Sequence, residues 1–252
     1  MRSQSKHTDN LIASTTWLVA YDGLVDAELE PRQRAGETKR ARTRAALLDA
    51  VQRLSEERDW PTITLQDICV EAGVSKPSAY NHFTSKNEMV GQIFAELFRP
   101  TIEAAAQHAE ALKQREWDVE LWKWSVSQYL DGIAEVVEIG KSLVFGLLMA
   151  LQEEMIRRRK RSEPDGAVHA LVPIDEPLAK FIDIYCDHQP GHVRAVGHDT
   201  AKFAWYHISL LLNRMVTYPD QPAHYSSNTA FGLLMSTLTD PDEQMRSGRH
   251  RA

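Results

Sequence analysis

Cysteine is nearly absent: Cys69 and Cys186 are the only two in 252 residues, far apart and each without a CxxC partner. That spacing argues against a disulfide framework and against a zinc finger, and it fits a reducing cytoplasm. No apolar run approaches the ~18 residues of a membrane helix. The apolar stretch 17–21 is too short, and too weakly flanked by basic residues, for a secretory signal. A phosphate-cradling glycine loop, GxSxG and HExxH are all missing, so neither an enzyme nor a cofactor is expected. Net positive charge is missing too: 29 Lys/Arg face 35 Asp/Glu, a formal −6. Taken alone, that balance opposes a nucleic-acid partner.

The distribution of charge changes this reading. Residues 91–252 hold 17 basic and 22 acidic side chains, whereas residues 37–90 hold eight of each. Between positions 32 and 44, Arg32, Arg34, Lys39, Arg40, Arg42 and Arg44 face only Glu37. A basic arm entering a helix is one way to reach phosphates, and a solvated charged linker is the other reading of the same run. Overall composition, 43% apolar and 25% charged, is that of a globular protein with one large core or two modest domains.

Helical periodicity dominates the chain. Ala45, Leu48, Val51 and Leu54 share one face of a helix expected over 38–58, which Asp59-Trp60-Pro61 ends. Thr64 to Asp67 reads as an N-cap with an acid three residues on. Leu65, Ile68 and Ala72 make a short apolar face, and Gly73 is placed to close that helix in a left-handed conformation. Ser75 caps a second helix of about two turns, with Pro77 in its first turn. A long helix follows to about Leu112, with a kink expected at Pro100. Further helices are expected around the stripe Val126, Leu130, Ile133, Val137, and over 143–155, 178–185, 200–217 and 226–238. No alternating pattern competes, so the fold class is all-α.

Two short helices joined through a glycine, the second capped and free of acids, make a helix-turn-helix. Positions 73–87 contain Lys76 and Lys86 and no Asp or Glu. Ser75, Lys76, Ser78 and Asn81 are small or polar enough to enter a major groove, where Lys suits guanine and Asn adenine. Tyr80 and His82 can reach phosphates, while Val74 and Phe83 read as core anchors. A helix-turn-helix used purely for packing would not need an acid-free outward face.

Ala72-Gly73-Val74-Ser75, then Pro77, Tyr80, His82-Phe83 and Lys86, preceded by Thr64 and Ile68, resembles the N-terminal domain of the TetR (tetracycline-repressor) family. The likeness covers roughly residues 40–90. It implies that Thr64 caps the first motif helix and touches a phosphate. Ser75, Lys76, Pro77, Ser78 and Asn81 would lie in or beside the groove. Tyr80, His82 and Lys86 would meet the DNA backbone. The basic run, with Arg40 and Arg44, is read from its charge as an accessory to that head. Cys69, Ala79, Asp59 and Asn87 depart from the usual Ala, larger aliphatic, Gly and acid.

The expected organisation is a partly disordered extension over 1–36, a DNA-binding domain over 37–85, a helical effector-binding and dimerisation domain over 86–240, and a disordered tail over 241–252. The resemblance implies a ligand-responsive regulator, a repressor that binds a palindromic operator as a homodimer and leaves it on binding a small apolar or aromatic effector. An activator, a dispersed DNA binder and an enzyme-like C-terminal domain are the competing readings. Candidate pocket residues are Trp117, Trp124, Tyr129, Phe145, Met149, Trp205 and Tyr206, each of which also reads as an ordinary core aromatic or methionine. Candidate dimer residues are Phe203, Leu211, Leu212, Met215, Phe231 and Leu234, with burial within the chain as the alternative.

Three other features read as structural. Arg157–Arg161 is a basic helix end. Asp131, Glu135 and Glu138 form an acidic helix face. Cys186, Asp187, His188 and His192 do not make a metal site, because Pro190-Gly191 breaks the helix that a spaced His pair would need.

Overall fold

A computed structural model describes residues 31–161, 171–189 and 199–238. Among them every regular element is helical. The expected extension up to residue 30, the loop carrying His192 and the tail lie outside the described residues.

The described residues divide into two units. The first holds residues up to Arg58 together with Ile63–Lys86. It contains α1 (Pro31–Glu57), α2 (Leu65–Glu71) and α3 (Lys76–Tyr80). Helix α1 starts earlier than the periodicity suggests. Proline fits the first helical position, where its missing N–H has no partner to lose, and residues 31–36 continue as helix rather than as an extension. Leu47, Leu48, Ala50 and Val51 of α1, Ile63, Ile68 and Cys69 around α2, and Ala79 and Phe83 at α3 are buried. Apolar packing therefore holds α2 against both α1 and α3.

The second unit holds Asp59–Thr62 and everything from Asn87 onward. It contains α4 (Lys86–Lys113, of which Lys86 belongs to the first unit), α5 (Val119–Ile139), α6 (Val144–Arg161), α7 (Glu176–His188), α8 (Thr200–Thr217) and α9 (Ala223–Leu238). Helix α4 is assigned as one element through Pro100. Helix α5 is the centre of this unit and contacts α7, α8 and α9. Its stripe Val126, Leu130, Ile133 and Val137 is buried, as helical periodicity requires. Two buried polar rings on α5 are satisfied by backbone. The Trp122 indole N–H donates to the Phe181 carbonyl at 2.7 Å, and the Tyr129 hydroxyl donates to the Ile174 carbonyl.

Candidate nucleic-acid interface

The first unit is built by local caps. The Thr64 hydroxyl accepts the Asp67 N–H (3.1 Å) and the Asp67 carboxylate accepts the Thr64 N–H (2.8 Å), a complete capping box. Those hydrogen bonds hold the Asp67 carboxyl below the usual carboxylate range, with Arg58 assisting. Helix α2 ends in a Schellman closure: Val74 N–H reaches Cys69 O (2.9 Å) and Gly73 N–H reaches Val70 O (3.1 Å). Gly73 takes φ +64°, the left-handed region that favours glycine. Ser75 then caps α3, its hydroxyl accepting the Ser78 N–H at 3.3 Å.

These turns set the outward face of α3. Lys76, Pro77 and Asn81 are exposed, Ser78 is half-buried, and Tyr80 is 54% exposed. Between α1 and α3 runs a cleft of about 430 Å³ lined by Lys39, Arg40, Thr43, Ser78, Asn81 and His82. It offers two cations, hydroxyls, an amide and an imidazole, and no acid. The acids of α2 are engaged elsewhere, Asp67 in the cap and near Arg58, Glu71 with Arg53 at 2.8 Å. Burial, and then Arg40 and Arg44, push the His82 pKa down. Such a surface suits a phosphodiester backbone: an anion seated there would offset the mutual repulsion of Arg40, Arg44 and a protonated His82.

Two members of the expected set have structural partners as well. The Lys86 ammonium donates to the Ile63 carbonyl, and burial lowers its pKa, with Asp67 opposing. The Arg44 guanidinium lies over the Phe83 ring at 4.6 Å, a cation–π contact that braces α1 against the end of the motif. Thr43 was not singled out from the sequence. Its place in the cleft follows from its position one turn beyond Lys39, whose carbonyl its hydroxyl binds at 3.0 Å.

The seven expected pocket residues differ in burial and in the partners of their rings. Tyr129 is buried against Ile174. Trp117 stacks on His188, with ring centroids 4.5 Å apart. Trp124 is half-exposed beside His108, and Phe145 is exposed. Met149 and Trp205 are half-buried, and Tyr206 is 58% exposed with its ring edge on His207. Of the expected dimer residues, Leu211, Leu212, Met215 and Leu234 are buried within the chain, while Phe203 and Phe231 are half-buried. The outer faces of α8 and α9 instead present Tyr206, Tyr225 and Leu233.

Comparison with known proteins bears on the first unit. The chain is 44% identical over 50 residues to the HTH-type transcriptional regulator AlkX of Mycobacterium tuberculosis (strain ATCC 25618 / H37Rv), a match covering 20% of this chain and 24% of that relative. The chain thus spans about a quarter of the length of the curated relative it matches. The crystal structure of the TetR family transcriptional regulator PfmR from Thermus thermophilus is 21% identical, with a TM-score of 0.47, covering 77% of this chain and 99% of that one. Residues 47–93, from the buried face of α1 through α3 into α4, match the family described as bacterial regulatory proteins, tetR family.

Proposed function

We propose that the chain is a transcriptional repressor that binds a palindromic DNA operator as a homodimer in the cytoplasm and is released by a small apolar or aromatic effector. The acid-free cleft between α1 and α3 carries this reading. Ser75, Lys76, Pro77, Ser78 and Asn81 face the major groove, and Thr64, Tyr80, His82 and Lys86 lie toward the backbone. Lys39 and Arg40 add phosphate contacts from α1, with Arg44 behind them. Exposed Tyr206, Tyr225 and Leu233 support an interface on α8 and α9, since the buried leucines of both helices are used inside the chain. A dimer presents two recognition helices to half-sites about one helical turn, ~34 Å, or a multiple apart. The effector site is placed in the second unit, among the helices around α5.

The test is retardation of a duplex that the protein itself selects from a random pool. Tyr80→Ala and Arg40→Ala should each abolish retardation at moderate salt while the dimer, checked by sedimentation, stays folded. Arg40→Ala should also lower the dependence of log K on log salt by about one phosphate's worth. Wild-type retardation in both variants refutes the proposal.

A further inference from the structure

The turn at 60–62 stands between two helices of the first unit but belongs to the second. It is closed on itself: the Thr62 N–H and hydroxyl both donate to the Asp59 carbonyl, at 2.9 and 2.8 Å. Trp60 is only 1% exposed. Its indole N–H donates to Asn87 Oδ1 at 3.0 Å, and Asn87 Nδ2 donates to Glu153 Oε1 of α6 at 2.7 Å. One turn of α6 is cut away to receive the ring. A Cβ on Gly146 would sit 2.6 Å from the Trp60 Nε1 and 2.9 Å from Cδ1.

The residues flanking this anchor hold the DNA-binding helices. Ile63, two peptide bonds beyond Pro61, is fully buried and its carbonyl accepts the Lys86 ammonium. Thr64 follows and caps α2. Lys86 and Asn87 are consecutive, so a single peptide bond joins the group holding Ile63 to the group holding Trp60 and α6.

We infer that Trp60, Asn87 and Glu153 are positioning residues that carry a displacement of α6 to α2 and α3. An effector that moves α6 would thereby alter DNA affinity through a turn that itself contacts no DNA. The inference rests on the reading of the chain as a DNA-binding regulator and adds the route by which the second unit controls it.

The test uses the full chain and the duplex it selects. Gly146→Ala, which forces the indole to shift, should weaken binding about tenfold, the size of an ordinary coupling between sites. Trp60→Phe, which keeps a ring but removes the N–H, should weaken it several-fold. The double variant should be no weaker than the weaker single one, because both act through one contact. Glu153→Gln, which keeps an acceptor for Asn87, should bind as wild type, whereas Glu153→Leu should not. Gly132→Ala is the matched control: its Cβ would meet Thr101 Cγ2 at 2.8 Å in the same unit, away from Trp60. It should lower the melting temperature and leave DNA affinity unchanged. Wild-type affinity in Gly146→Ala and Trp60→Phe, additive losses, or an equal loss in Gly132→Ala overturns the inference. A wild-type chain that selects no duplex overturns the functional reading instead, and the inference with it.

Discussion

Replacing Gly73 by alanine isolates the energy of a single backbone conformation. A Cβ at position 73 would have nothing within 4 Å, so no steric contact contributes. The residue sits at φ +64°, where an L-residue costs about 1–2 kcal/mol. Alanine also restricts the unfolded chain, which returns about 0.4–1 kcal/mol. The net expectation is a destabilisation of about 1 kcal/mol confined to the α2–α3 turn. Gly36 supplies the opposite case within the same unit. It is exposed, lies inside α1 and likewise has an open Cβ position. Gly36→Ala should therefore stabilise by about 0.5–1 kcal/mol through helix propensity alone. Hydrogen exchange of the α2 and α3 amides, with urea midpoints for both variants, measures the pair. The same sign for the two substitutions, or a neutral Gly73→Ala, would refute the reasoning.

Other perturbations follow from the same geometry. His207 is fully buried on α8, with Nδ1 on the Phe203 carbonyl and, among the described residues, no partner for Nε2, and burial depresses its pKa. Its folded pKa lies below the unfolded value of about 6.5, so its contribution to stability is full above that pH and is lost as pH falls below it. The melting temperature should drop from pH 7.5 to 5.5, and by less in His207→Leu. His82 is depressed in the free protein by burial and by Arg40 and Arg44, and a phosphate beside it would raise its pKa again. DNA binding should then take up protons, with affinity rising from pH 7.5 to 6, and His82→Gln should remove that slope in a retardation series. Trp122→Phe leaves the Phe181 carbonyl without its indole donor and should cost about 1–3 kcal/mol in chemical denaturation.

The turns that shape the candidate DNA-binding face were legible in the sequence because their determinants are local. Thr64, Gly73, Ser75 and Pro77 act within four residues of themselves, and each cap forms as its residue type and spacing dictate. The central stripe of α5 was legible for the same reason. Trp60 was not: beside Pro61 it reads as the end of a helix, and its role depends on Gly146 and Asn87, which lie 86 and 27 positions away. Lys86 offered only its charge, which suits a phosphate or a carbonyl equally, and the structure adds Ile63. On α8 and α9 the periodicity marks apolar faces without saying which is inward. Leu211, Leu212 and Leu234 are used inside the chain, which leaves Tyr206 and Leu233 outward.

The split membership of residues 59–62 limits how far this protein is modular. A fragment ending at Lys86 would carry Trp60 away from the surface that buries it, exposing roughly 200 Å² of ring at a cost of about 5 kcal/mol. A fragment beginning at Asn87 would have a vacant notch at Gly146 and would leave Asn87 without the indole it accepts. Chimeras that graft the first unit onto another second unit should therefore succeed only when the recipient supplies a glycine and a carbonyl acceptor at the corresponding places, or when Trp60 is replaced in the same step.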